Sequence, residues 1–211
     1  MFRAVLNDKI GNILSYLAEK VAHLSLTKAL KLLYIIDETA VRETGVQLTW
    51  LEYKVWKNGP VPDELFQELR HNKKISIDNR IISLDEYIAV EQRESIFPEN
   101  QVETYLFPRK EFDFSILNDY EIELVERIIQ QYGSFSAREL VDILHRENTL
   151  WHKIVEENNL SVSFELYKAT SNYTIDFTKL IENDEILKMA AQASYEALQF
   201  QESLLENSTL A

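Results

Sequence analysis

LTKALKLLYIIDETAVRE, residues 26–43, decides how the rest of the chain is read. Leu26, Leu30, Leu33, Ile36 or Asp37, and Ala40 or Val41 recur at intervals of three and four, the period of one helical face. Leu32 and Ile35 widen that stripe beyond what one neighbour covers, so the spacing predicts a central helix packed on more than one side. Ser25 or Thr27 is placed to cap its start, because a short side-chain oxygen can accept from the unpaired N–H groups of a first turn. Gly45 is placed to end it in a left-handed conformation, leading into VQLTW. Four polar residues, Lys28, Lys31, Tyr34 and Asp37, interrupt the apolar run and can belong to either face. Lys31 and Tyr34 are three apart and fall on adjacent parts of one surface.

Outward from this helix the chain is mostly helical. Residues 5–22 carry Ile10, Ile13, Leu14, Leu17 and Val21 at helical spacing, tolerating Gly11 at some cost. LEYKVW (51–56) is short, aromatic and β-branched; alternation sets Leu51, Tyr53 and Val55 against Glu52, Lys54 and Trp56, and the strand stops at NGPVP. Pro62 suits a first helical turn, and DELFQEL follows with its acids in that turn. ISIDNRIISL reads as a hairpin turning at Asp78-Asn79. EYIAVEQ and VETYLF are further extended segments, with Pro98 and Pro108 at turns or edges. Helices return with NDYEIELVERIIQQYG, capped by Asn118 or Asp119 and closed by Gly133. FSARELVDILHRE follows, where Ser136 and Glu139 have capping-box spacing. WHKIVEEN, with Asn148 or Thr149 as its cap, is a further short helix. SVSFELY, in the ambiguous stretch 159–178, reads as a strand. The last element, about 181–205, aligns Leu187, Ala190 or Ala191, Ser194, Leu198 and Leu205. The expected fold class is therefore α+β: a mostly α-helical domain with a small antiparallel β element and a C-terminal helix. Residues 1–158 are expected to form the main domain, and 159–211 a C-terminal extension packed on it.

Composition narrows the chemistry. The chain has 211 residues, 45% hydrophobic and 27% charged, which is a globular balance and one domain's worth of chain. Cysteine is absent, so disulfides, thiolate metal sites and cysteine nucleophiles are excluded. The amino terminus has no apolar run of signal-peptide length and no window reaches 18 apolar residues, so a soluble cytoplasmic protein with no membrane contact is expected. The net charge is -13, and it is uneven. Residues 1–110 hold 15 basic and 16 acidic side chains; residues 111–211 hold 7 and 19. That field repels a phosphate backbone and steers a basic partner to the second half, which disfavours nucleic acid. None of the G-x-S-x-G, H-E-x-x-H, P-loop or G-x-G-x-x-G patterns is present. His145 and His152 are seven apart and would share a face on one helix, but Asn148-Thr149 breaks that helix and no third ligand is fixed. Neither a metal nor a cofactor is expected.

Two corners stand out. The first comprises Tyr53, Trp56, Lys57, Asn58, Gly59, Pro60 and Val61: an aromatic strand end beside a rigid Gly-Pro turn and a helix start. It reads either as a fixed corner, with Trp56 filling the core and Pro60 locking the turn, or as a recognition corner where Trp56 or Tyr53 anchors a partner. The second, HRENTLW (145–151), invites the same two readings for His145 and Trp151.

KLLYIID (31–37), VWKNGPV (55–61) and EIELVERIIQQYGSFSARELVDILHRENTLW (121–151) resemble, in order and spacing, the Panacea domain of SocA-like antitoxins and phage-associated proteins. That family's pattern has a K-L-L-Y helix, an A-W-x-x-G-P-V corner, and a Y-G-x-x-S-A-x-E-L helix followed by H-x-x-x-P-W or similar. Lys31 to Tyr34 match the first block; Trp56, Gly59, Pro60 and Val61 match the second. Tyr132, Gly133, Ser136, Ala137, Glu139, Leu140, His145 and Trp151 match the third. Val55 stands where alanine is usual and Leu150 where proline is common. The similarity covers about residues 10–155. It implies a mostly helical, non-enzymatic antitoxin that binds directly to a toxin protein encoded by an adjacent gene. One member delivers its toxin to a protease, so an adaptor role with a protease as second partner is an alternative. A DNA-binding autoregulator is another, opposed by the acidic balance. The candidate partner-binding residues are Lys31, Tyr34, Asp37, Tyr53, Trp56, Lys57, Gly59, Pro60, Val61, His145 and Trp151.

Overall fold

The computed structural model describes residues 2–71, 75–77, 80–82, 84–94 and 102–209. The long apolar run after Ser25 is helix α2 (Leu26–Thr44), which follows α1 (Phe2–Lys20). Ser25 Oγ accepts from Lys28 N, and Gly45 at φ 78° ends the helix with its N–H donating to Val41 O. The width of the α2 stripe is explained by its neighbours. β1 (Lys54–Trp56) and β2 (Gly59–Val61) form a hairpin, and β2 lies on α2 together with α3 (Asp63–His71). α4 (Asp119–Tyr132), α5 (Ala137–Leu144) and the C-terminal α8 (Glu185–Thr209) cover its other sides. Leu32, Leu33 and Ile36 are completely enclosed; each such side chain contributes roughly 1.5–3 kcal/mol on burial.

β3 (Ile75–Ile77) pairs antiparallel with β4 (Arg80–Ile82), as the ISIDNRIISL reading expects; its turn, Asp78-Asn79, lies outside the described residues. β5 (Ile88–Glu94) and β6 (Val102–Pro108) form a second antiparallel ribbon with Ile88 opposite Pro108, and α1 packs on it. Pro98 lies outside the described residues. α4 starts in a capping box between Asn118 and Glu121, and α5 in one between Ser136 and Glu139. Thr149 Oγ1 caps α6 (Leu150–Glu157) by accepting from His152 N. The fold is mostly helical with small antiparallel sheets and a C-terminal helix.

Three local readings are corrected. SVSFELY is not a strand: Leu160–Leu166 is helix α7, burying Leu160 and Phe164 four residues apart, a spacing masked by its β-branched and aromatic content. β1 does stop at NGPVP, after Trp56. The chain reverses at Lys57-Asn58, and Gly59 and Pro60 return as β2 with Trp56 opposite Gly59 and Val55 opposite Pro60. Pro60 thus sits in an edge strand, where a missing N–H is tolerated, and does not lock the turn. Trp56 is only partly buried, stacked edge-on against Phe66 at 5.1 Å, so it does not fill the core.

The outer edge of β1 is covered from the extension. Val55 N donates to Tyr173 O and Ile175 N donates to Tyr53 O, both at 2.8 Å, and Lys57 N donates to Ala169 O at 2.8 Å. Ser171 Oγ adds a bond to Val55 O. Residues 169–175 therefore act as a strap along the hairpin. Beyond it, α8 lies close against the end of α2, burying Ala191, Ser194 and Leu198.

Candidate functional site

The three sequence blocks meet around the β1–β2 hairpin. Lys31, in the second turn of α2, is 1% exposed and its Nζ donates to Pro60 O at 2.6 Å. Burial disfavours its charged form and lowers its pKa to about 7. Gly59 has φ 95°, and a Cβ there would stand 3.2 Å from Lys31 Nζ and 3.7 Å from His145 Nε2. Both the backbone conformation and the close approach of the lysine demand glycine.

His145 caps the end of α5 and its ring lies flat on Trp151, with centroids 3.7 Å apart and planes 3° apart. Desolvation, and then the charge of Lys31, lower its pKa to about 4, so the imidazole is neutral at physiological pH. Its Nε2 is buried and finds no hydrogen-bond partner among the described residues. Trp151 Nε1 donates to Trp56 O at 2.8 Å, which ties α6 to the hairpin.

Nearly two turns along α2 from Lys31 is a second polar cluster. Asp37 is fully buried and accepts from Leu48 N at 2.9 Å, Thr49 N at 2.8 Å and Tyr53 Oη at 2.8 Å, and from Thr49 Oγ1. Burial raises its pKa to about 6, opposed by those bonds. Tyr34 packs edge-on against Tyr53 at 5.2 Å, and Phe177 from the extension contacts both rings. Burial, followed by the nearby acids, pushes both phenols well above their ordinary range. Tyr34 Oη is buried, and Glu38 is the acid that acts on it.

The structure thus joins all eleven candidate residues through two linked clusters and the hairpin between them. It does not present them as a surface. Lys31, Tyr34, Asp37, Tyr53, Gly59, Pro60, Val61 and Trp151 are buried, Trp56 and His145 are half-buried, and Lys57 is exposed. The reading of Tyr53 as a surface anchor is therefore corrected: its hydroxyl is used by Asp37 and its ring by Tyr34 and Phe177. Lys31 and Tyr34, adjacent on the surface of α2, both face the core.

Sequence reasoning missed Thr49, Phe177 and the Asn12 clamp. Asn12 Nδ2 donates to Asp113 O at 2.9 Å and its Oδ1 accepts from Asp113 N at 2.8 Å, joining α1 to the segment before α4. A carboxylate within an apolar helical stripe signals that donors must exist elsewhere, but not which residues supply them. Among the described residues no group of three or more His, Cys, Asp or Glu is placed to hold a metal ion, and no helix is long and apolar enough to cross a membrane.

Compared with known proteins, the chain matches a family model described as "Antitoxin SocA-like, Panacea domain" over residues 30–152. No curated protein and no solved structure matches it. The matched span runs from within α2 to the first turn of α6, and so contains Lys31, Asp37, the β1–β2 hairpin, His145 and Trp151. By that match, the chain belongs to the SocA-like antitoxin family defined by the Panacea domain.

Proposed function

We propose that this protein is an antitoxin that neutralises a toxin encoded by an adjacent gene through direct protein–protein binding, in the cytoplasm and without catalysis. The observation that carries the reading is the Panacea match across residues 30–152. The convergence of its motif residues on an internal scaffold accords with it. Lys31 on Pro60 O, Gly59 against Lys31 and His145, and Trp151 on Trp56 O fix α2, the hairpin and α6 relative to one another. A scaffold fixed in this way presents a preformed surface, which lowers the ordering cost of binding. The acidic second half adds a field that speeds encounter with a basic partner and excludes wrong ones.

Co-expression with the neighbouring gene tests the proposal. Growth arrest by the neighbour alone, relieved when this protein is present, is the expected result, and the toxin's half-life is expected to stay constant during rescue. A neighbour that is harmless alone, or that stays lethal while this protein is soluble and abundant, overturns it. Rescue accompanied by a shortened half-life would replace direct neutralisation with delivery to a protease.

A further inference from the structure

Helix α8 carries large apolar side chains on both of its faces. Toward the core it turns Leu187, Ala191, Ser194 and Leu198. Outward it presents Ile186, 77% exposed, and Met189, 67% exposed, followed by exposed Ala193 and Ala197; Phe200 is 64% exposed. The intervals of three and four make these one stripe, about 21 Å long at 1.5 Å per residue. The inner face is small at Ala190 and Ala191, where the helix lies tight on the end of α2: a Cβ added to Gly45 would stand 2.8 Å from both Ala190 Cβ and Leu187 O. A helix that served only to cover α2 would not also set an isoleucine and a methionine in water on its opposite face.

The charges around the stripe indicate what covers it. Glu182, Asp184, Glu185 and Glu196 are exposed around it, with Lys188 the one basic residue in the stretch. Asp184 is engaged in capping α8, accepting from Ile186 N and Leu187 N at 3.0 Å. A second copy of this chain would set these acids against each other, whereas a basic partner would neutralise them.

We propose that the outward face of α8 is the docking surface for the toxin, and that the toxin meets it with an apolar groove or ridge flanked by Lys and Arg. This rests on the antitoxin reading and adds to it the surface used and the chemistry of the partner. The test titrates the purified product of the adjacent toxin gene against the full chain and two multiple variants. One is Ile186→Glu/Met189→Glu; the other is Glu182→Lys/Glu185→Lys/Glu196→Lys. Both are expected to keep the wild-type melting temperature. The apolar variant should bind at least tenfold more weakly, and the charge variant should associate more slowly with a flattened salt dependence. If the apolar variant melts early, Ile186→Ser/Met189→Ser takes its place, with the same expected loss. Unchanged affinity in folded apolar variants overturns the proposal while leaving the antitoxin reading standing. A wild-type dimer in sedimentation that the apolar substitutions dissolve overturns it as well, since a second copy would then occupy the face. A wild-type chain that does not bind the toxin removes both readings.

Discussion

Replacing Asp37 tests the internal scaffold most directly. In Asp37→Ala, the N–H groups of Leu48 and Thr49 and the hydroxyls of Thr49 and Tyr53 lose their common acceptor inside the protein. A buried donor left unsatisfied costs roughly 1–3 kcal/mol, and rotation of a hydroxyl or entry of a water relieves part of that, so a loss of about 4 kcal/mol is expected. Set against a total stability of about 5–15 kcal/mol, that is severe. Asp37→Asn separates shape from charge: it keeps an oxygen for the two backbone N–H groups, and both hydroxyls can turn to accept from its amide, so about 1–2 kcal/mol is expected. The two variants also differ from wild type in pH response. The folded pKa of Asp37, about 6, lies above its unfolded value of 3.8. The stabilising contribution is therefore complete below about pH 4 and is lost as pH rises through 6, with an amplitude of about 3 kcal/mol. Urea titrations at pH 4.5 and 7.5 read all of this from the midpoints at constant m-value. The gap between wild type and Asp37→Asn should shrink from pH 4.5 to 7.5. An Asp37→Ala midpoint equal to wild type, or a gap that grows with pH, refutes the reasoning.

The other predictions concern neighbouring positions. The folded pKa of Lys31, about 7, lies below its unfolded 10.5, so its contribution is complete above 10.5 and is lost as pH falls through 7; wild type should gain a few kcal/mol relative to Lys31→Met between pH 7 and 10. Parallel stability curves for the two proteins would count against a buried lysine. Gly59→Ala forces a side chain into φ 95° against Lys31 and should cost about 1–3 kcal/mol in chemical denaturation, with an unchanged midpoint as the contrary result. Ser136→Ala removes one half of the capping box with Glu139 and should cost about 1 kcal/mol, read as a lower melting temperature of an otherwise native protein.

What the sequence disclosed follows local physics. Helix periods, the Ser25, Asn118 and Ser136 caps and the Gly45 terminus depend on residues within one or two turns of each other, and each was readable in place. α7 was misread because its residues favour strands locally, while its helical state buries Leu160 and Phe164 in a core built by distant segments. The Gly59-Pro60 return strand was also hidden: a Gly-Pro pair reads as a turn unless its neighbours are known, and here β1 on one side and Lys31 beneath determine it. The candidate site was legible as a set of residues but not as an interior. Asp37 falls on the stripe that the apolar pattern already marks and Lys31 is open to either face, yet only the positions of Pro60 O, Thr49 and Tyr53 show how their polar groups are satisfied in the core.

The hairpin links the motif residues to the surface proposed for the partner. β1–β2 is held from below by Lys31, from α6 by Trp151 Nε1, and along its outer edge by the strap of residues 169–175. Asp37 holds Tyr53 just before it, and Phe177, two residues after the strap, closes on Tyr34 and Tyr53. Each of these polar contacts forms in one register only, because a one-residue slip would leave a buried lysine, indole or carboxylate without its partner. The chain then runs directly into α8, which is seated on the end of α2 at Gly45. The interior polar residues therefore set where the outward face of α8 stands relative to the acidic half of the molecule. On this view, substitutions at Lys31, Asp37 or Gly59 should weaken toxin binding in proportion to the stability they remove, whereas substitutions at Ile186 and Met189 should weaken it with stability intact.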